Sequence, residues 1–287
     1  MIKYNNKLGI QMIFKRGSLI RHALYHSILY SIIATIVVGI DLCWFEIKFS
    51  TTPWAIVGGA LGLLLVFRTN TAYDRYWEGR KAIGEISITL RSLTTLIVNT
   101  TKDADKKKKW VILLKLFMFA VNNRLQMRKI DFLNNNKEYL DINEILLLRD
   151  SDNQPLSLIL IYKKNLVEQV NCGDLDNILF VHIDSLFNIL IKTVGICERI
   201  KNTPIPFPYH IHIKSLLVLF CITLPVALVD SMGGASIIAC AFITFAFVGI
   251  EEIGIEIEDP FGGDTNDFNL DEYATNIEMD IVKLYEC

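Results

Sequence analysis

LGLLLVFRTNTAYDRYWEGRKAIGE, residues 61–85, is the stretch whose reading decides the fold. An apolar run ends at Phe67 and passes into charges and aromatics, with no proline or turn residue to stop a helix. One end suits lipid and the other suits water, so a single helix leaves the membrane here. No proline occurs between Pro53 and Pro155. A helix from Pro53 to about Val98 is therefore expected, roughly 70 Å long at 1.5 Å per residue and about twice a bilayer's thickness. Gly58, Gly59, Ala60 and Gly62 precede the switch; small residues let helices approach closely or let a helix line a narrow space. Arg68 with Tyr73, Tyr76 and Trp77 reads as an interfacial aromatic belt with a snorkelling arginine.

Working outward, four apolar stretches are long enough to span, at about 22–42, 49–67, 213–229 and 232–250. Asp230 and the following Ser-Met-Gly-Gly mark a hairpin tip between the last two. Residues 68–212 and 251–287 form the water-facing part. Composition agrees: the 287 residues are 52% hydrophobic yet 21% charged, with a mean hydropathy of +0.35. The net charge of −2 offers nothing to a nucleic acid. Lysine and arginine set the orientation. Lys3, Lys7, Lys15, Arg16 and Arg21 precede the first stretch, and Arg68, Arg75, Arg80, Lys81, Arg91 and Lys106 to Lys109 follow the second. The connection between them holds only Lys48, and the hairpin tip holds no base. Four spans with both termini cytoplasmic follow, in the cell (inner or plasma) membrane. The start of the chain lacks the charge distribution and cleavage site of a signal peptide.

The water-facing part reads as helical. Residues 87–98, 110–121 and 178–194 place apolar side chains at helical spacing, and 141–148 suits a short helix. Asn134 to Asn136 and 151–155 read as loops, and KDADKKKK at 102–109 as the solvated start of a helix. Cys43, Cys172, Cys197, Cys221, Cys240 and Cys287 have no metal-ligand spacing and read as buried thiols. The histidines form no H-E-x-x-H, and neither a phosphate loop nor a serine elbow is present, so no enzyme is indicated. Glu251, Glu252, Glu256, Glu258 and Asp259 end the fourth span and read as a solvated or arginine-paired face.

Three stretches together resemble the bestrophin family, including its bacterial members: FRTNTAYDRYWEGR at 67–80, IPFPYHIHIKSLLVLFCITLP at 205–225 and DPFGGDTNDFNLDE at 259–272. They stand in the family's order and cover the chain from about residue 20 to 280. The resemblance implies an all-α membrane protein whose four transmembrane helices continue into a helical cytoplasmic domain as a single unit. It also implies a homopentamer in membrane lipid around a central pore lined by the second helix, conducting small inorganic ions. Anions such as chloride are the family's majority behaviour. A cation-selective channel for Na+ or K+ and a secondary transporter are the alternatives.

By position, the resemblance assigns an apolar neck to Gly59, Leu63 and Phe67, and a cytosolic aperture to Ile178. Positions 59, 63 and 67 also share one helix face, as ring-forming residues would. Packing of helix against helix is the other reading for Leu63 and Phe67, and core packing the other for Ile178. Family members usually carry a bulky residue at Gly59, so either the outer neck is wider here or Ile56 or Ala60 turns inward. Asp264 and Asp267 match carboxylates of the family's Ca2+ clasp. No cofactor is required, and the same two residues read equally as turn and cap chemistry, with Asp267 capping a segment that begins at Asn269.

Overall fold

The computed structural model describes residues 19–128 and 137–286. Lys3, Lys7, Lys15, Arg16, Asn134 to Asn136 and Cys287 lie outside the described residues. Nine α-helices carry the described fold: α1 Ile20–Cys43, α2 Thr52–Thr100, α3 Ala104–Leu125, α4 Ile142–Asp150, α5 Gln154–Asn171, α6 Asn177–Asn202, α7 Phe207–Met232, α8 Ser236–Glu256 and α9 Leu270–Glu286. No strand occurs among the described residues. Helix α2 is unbroken over 49 residues, about 73 Å. The absence of proline after Pro53 has the consequence the sequence suggests.

Packing divides the chain into two compact units: 1–76 with 204–260 and 264–267, and 77–203 with 261–263 and 268–287. The break in α2 between the units falls at Tyr76 and Trp77, beyond the change in hydropathy at Phe67 and Arg68. Hydropathy reports which solvent a residue suits; packing reports which neighbours hold it.

In the first unit α1 packs on α8 and α7, and α7 packs on α8. Leu61 and Leu65 of α2 join Tyr30, Ala34, Leu217, Phe220, Leu224 and Cys240 in one core. Two polar bonds fix the spacing: Ser27 Oγ donates to the Ala241 carbonyl at 2.8 Å, and Trp54 Nε1 donates to Thr223 Oγ1 at 2.9 Å. Gly58 permits the close approach of α2, since a Cβ there would meet the Phe220 ring at 3.0 Å. Pro225 lies inside α7, and the helix runs through it. The hairpin tip is the single 3-10 turn Gly233–Ala235, with Ser231 and Met232 still in α7.

The second unit contains α3, α4, α5, α6, α9 and the inner part of α2. Asp103 caps α3 by accepting from the amides of Asp105 and Lys106, so the lysine-rich stretch is a solvated helix start. Asp141 and Glu144 make a capping box for α4, and Asn153 caps α5 ahead of Pro155. Tyr162 is fully buried between Trp110 and Phe187, and its hydroxyl donates to the Trp110 carbonyl.

By length and composition, α1, α2, α6 and the α7–α8 stretch could cross a membrane. Helix α6 differs in that its apolar stripe (Ile183, Phe187, Leu190, Val194, Cys197) is buried inside the second unit. Burial pushes the Cys197 thiol up to about 12. Cys221 and Cys240 are also buried, whereas Cys43 and Cys172 are exposed, which corrects the reading of all cysteines as buried thiols. Both exposed cysteines end helices, where no core reaches them.

Candidate functional site

The site is built on the two sides of α2. One side is anchored: Leu61, Leu65, Arg68 and Ala72 are buried. The opposite side is exposed. Ile56 is 69% exposed, Leu63 56% and Phe67 55%; Gly59 is exposed too, with nothing within 4 Å of where a Cβ would stand. A helix turns about 100° per residue, so positions 56, 59, 63 and 67 form one stripe. Around Gly59, Ile56 shares the stripe one turn outward and Ala60 is exposed beside it. Leu63 and Phe67 do not pack helix against helix within the chain. Ile178 is 79% exposed in the first turn of α6, so it is not core packing either.

What anchors α2 is a network of charge. Arg68 is 1% exposed, not a snorkelling residue. Its Nη1 donates to Glu251 Oε1 at 3.0 Å, and its Nη2 lies 2.7 Å from His210 Nδ1 and 3.9 Å from Glu258 Oε2. A guanidinium can only donate, so Nδ1 of His210 is the acceptor. Lys214 Nζ donates to Glu251 Oε2 at 2.8 Å. Glu252, 3.5 Å from Lys214, pairs with His22 at 2.9 Å. Glu258 accepts the Ile205 amide at 2.8 Å, and its own carbonyl accepts from Arg75 Nε at 3.1 Å.

The network joins α1, α2, α7 and α8. It also brings together side chains of the stretch after Phe67, the stretch from Ile205 and the acidic end of α8. Glu251 is arginine-paired, as one reading of that acidic end expects. What the sequence reading missed is the burial of Arg68. Its signal was present: one base at the end of one span, and carboxylates at the same depth at the end of another. A buried ion pair is weak evidence for added stability, and Arg68 Nε has no hydrogen-bond partner among the described residues. The pair fixes the rotation of α2, and hence the direction in which Phe67 points.

Asp264 and Asp267 belong to one turn, three residues apart. Asp264 is exposed and Asp267 is buried. The Asp267 carboxylate accepts the Asp264 amide at 2.7 Å, and the Asp267 amide donates to the Asp264 carbonyl at 3.2 Å. Gly263, at φ +107°, supplies the left-handed backbone before this turn. No cluster of three metal-binding side chains occurs among the described residues. The two residues form a closed turn in which the Asp267 carboxylate is engaged by the Asp264 amide. The cap expected from Asp267 comes instead from Asn269, whose Oδ1 accepts the Glu272 amide at 3.2 Å; α9 starts one residue later. Asp267→Ala should lower the melting temperature, because it orphans a buried turn at a cost of about 1–3 kcal/mol, while Asp264→Ala should leave it unchanged. A Ca2+-dependent rise in melting temperature that both substitutions abolish would overturn this assignment.

Comparison with known proteins meets this geometry. The family model for bacterial/fungal bestrophin protein matches residues 3–283. The chain belongs to the bestrophin family. A voltage-dependent anion channel-forming protein of Nostoc sp. is 38% identical over 224 residues, covering 77% of this chain and 73% of the relative. The voltage-dependent anion channel-forming protein YneE of Escherichia coli is 31% identical over 260 residues, covering 90% and 85%. Among solved structures, a single-substitution variant of a bacterial bestrophin homolog from Klebsiella pneumoniae matches with a TM-score of 0.84 and 26% identity, over 93% of this chain and 99% of that one. This bestrophin is thus an all-α membrane protein.

Proposed function

We propose that this bestrophin forms an anion-conducting channel in the cell membrane, with both termini cytoplasmic and five copies arranged around one pore. It is a channel rather than an enzyme, in line with relatives named as anion channel-forming proteins. The observation that carries the reading is the exposed apolar stripe Ile56, Gly59, Leu63 and Phe67, on a helix whose opposite side is fixed by the Arg68 network. An apolar stripe left exposed among the described residues calls for lipid or further copies. Five such stripes about an axis make a ring of Leu63 and Phe67 that gates by wetting and dewetting. Ile178, projecting from the start of α6, forms a second ring at the cytosolic end.

Each chain acts with the single unit of four spans repeated by symmetry. A secondary transporter would need a pathway among the four spans of one chain, where Leu61, Leu65, Leu217, Phe220 and Leu224 fill the core. Native mass spectrometry of the detergent-purified protein should give five copies, and reconstituted protein in an asymmetric KCl gradient should reverse on the chloride side of zero. A stable monomer without current would remove the channel reading. Reversal at the potassium potential would keep the channel and change the ion.

A further inference from the structure

Between Phe67 and Trp77, α2 carries three ionic side chains, and the structure separates them. Arg68 is buried against Glu251. Arg75 is half-buried and donates to the Glu258 carbonyl. Asp74 is exposed, and among the described residues it makes no hydrogen bond or ion pair. It stands seven residues after Phe67, which is two turns less about 20°, and thus on the same stripe about 10 Å inward. We infer that Asp74 sets the charge discrimination of the conduction path. This rests on the reading of that stripe as the pore wall.

The physical argument is one of position and cancellation. Of the two arginines nearest the neck, Arg68 is buried and paired with the Glu251 carboxylate, and Arg75 is turned toward the Glu258 carbonyl. Five copies of Asp74 would then form the first charged ring inward of Phe67, with no cation of the same helix face beside it. Low-dielectric walls focus the field of such a ring, which gathers cations and holds back anions. The next ionic side chains on the stripe are Glu78, four residues on and paired with Arg199 at 2.6 Å, and then Lys81, seven residues beyond Asp74. Lys81 lies about 10 Å deeper, a full screening length at ordinary salt. Anion passage in this bestrophin is therefore opposed by its own vestibule, and its preference is weaker than an uncharged vestibule would give.

The test is the reversal potential of the purified full-length protein in planar bilayers under an asymmetric KCl gradient. Asp74→Asn, nearly isosteric, should raise the chloride-to-potassium permeability ratio by about tenfold; Asp74→Lys should raise it further, and Asp74→Glu should hold the parent's ratio. In the parent, raising total salt at a fixed gradient should weaken the cation contribution, since screening shortens the reach of the ring. Phe67→Ala reports separately on the wall. An unchanged ratio in Asp74→Asn and Asp74→Lys, with conductance altered by Phe67→Ala, overturns the role of Asp74 and leaves the channel reading intact. If Phe67→Ala is silent as well, the stripe is not the pore wall and both readings fall.

Discussion

Arg68→Met and Glu251→Gln should each lower the melting temperature of the assembled protein by about 10 °C. Arg68 is 1% exposed and the Glu251 side chain 0%, so neither substitution exposes the survivor to water. Removing one member of a buried pair leaves the other uncompensated, at about 3–5 kcal/mol. At about 2–4 °C per kcal/mol for a chain of this size, that is the shift expected. The two changes differ in what they strand. Without Arg68, Glu251 keeps Lys214, but His210 loses a donor and Glu258 a nearby positive charge. Without the Glu251 carboxylate, Arg68 and Lys214 face each other across a neutral amide. Glu251→Gln should therefore be the more damaging. A double substitution Arg68→Met with Glu251→Leu should cost less than the sum, because it removes both desolvated charges. A thermal-shift assay on detergent-solubilised protein reads all three, and unchanged melting in both single variants would contradict a buried network. Loss of the network should also free the rotation of α2, so surviving channels should gate erratically.

Much of this architecture is legible in the residues, for local reasons. Span lengths follow from uncharged runs, and the continuity of α2 follows from a hundred residues without proline. The starts of α3 and α4 are written in Asp103 and in the capping box of Asp141 and Glu144, whereas α5 begins at Gln154 inside the stretch that reads as a loop. The stripe at 59, 63 and 67 follows from helical period alone.

What escaped was the azimuth of charge. Hydropathy fixes how deep Arg68 sits but not which way it points, and only the packing of α8 against the bundle supplies its carboxylate. The turn at Asp267 was legible, but only as one of two readings. A turn and a metal loop both ask for acidic residues beside glycine, and the difference lies in whether the carboxylate faces its own backbone. Helix α6 is the reverse case. Its length and apolar content suit a span, yet Asp184, Lys192 and Glu198 among its apolar residues favour a helix packed on one side, as it is.

The claim that the exposed side of α2 walls a pore is tested most directly by shrinking the proposed neck. Leu63 and Phe67 are more than half exposed within the chain, so their truncation takes little from the fold of one subunit. In a ring about an axis they supply the apolar surface from which water withdraws, and smaller side chains keep the passage wet. If they instead packed against neighbouring copies, each truncation would delete buried methylenes at about 2–5 kcal/mol. Planar-bilayer recording of Leu63→Ala with Phe67→Ala, beside native mass spectrometry and a thermal-shift assay, separates the two. The account predicts longer openings or a standing leak in an intact pentamer that melts as the parent does. Unchanged gating in a destabilised or dissociated protein would contradict it.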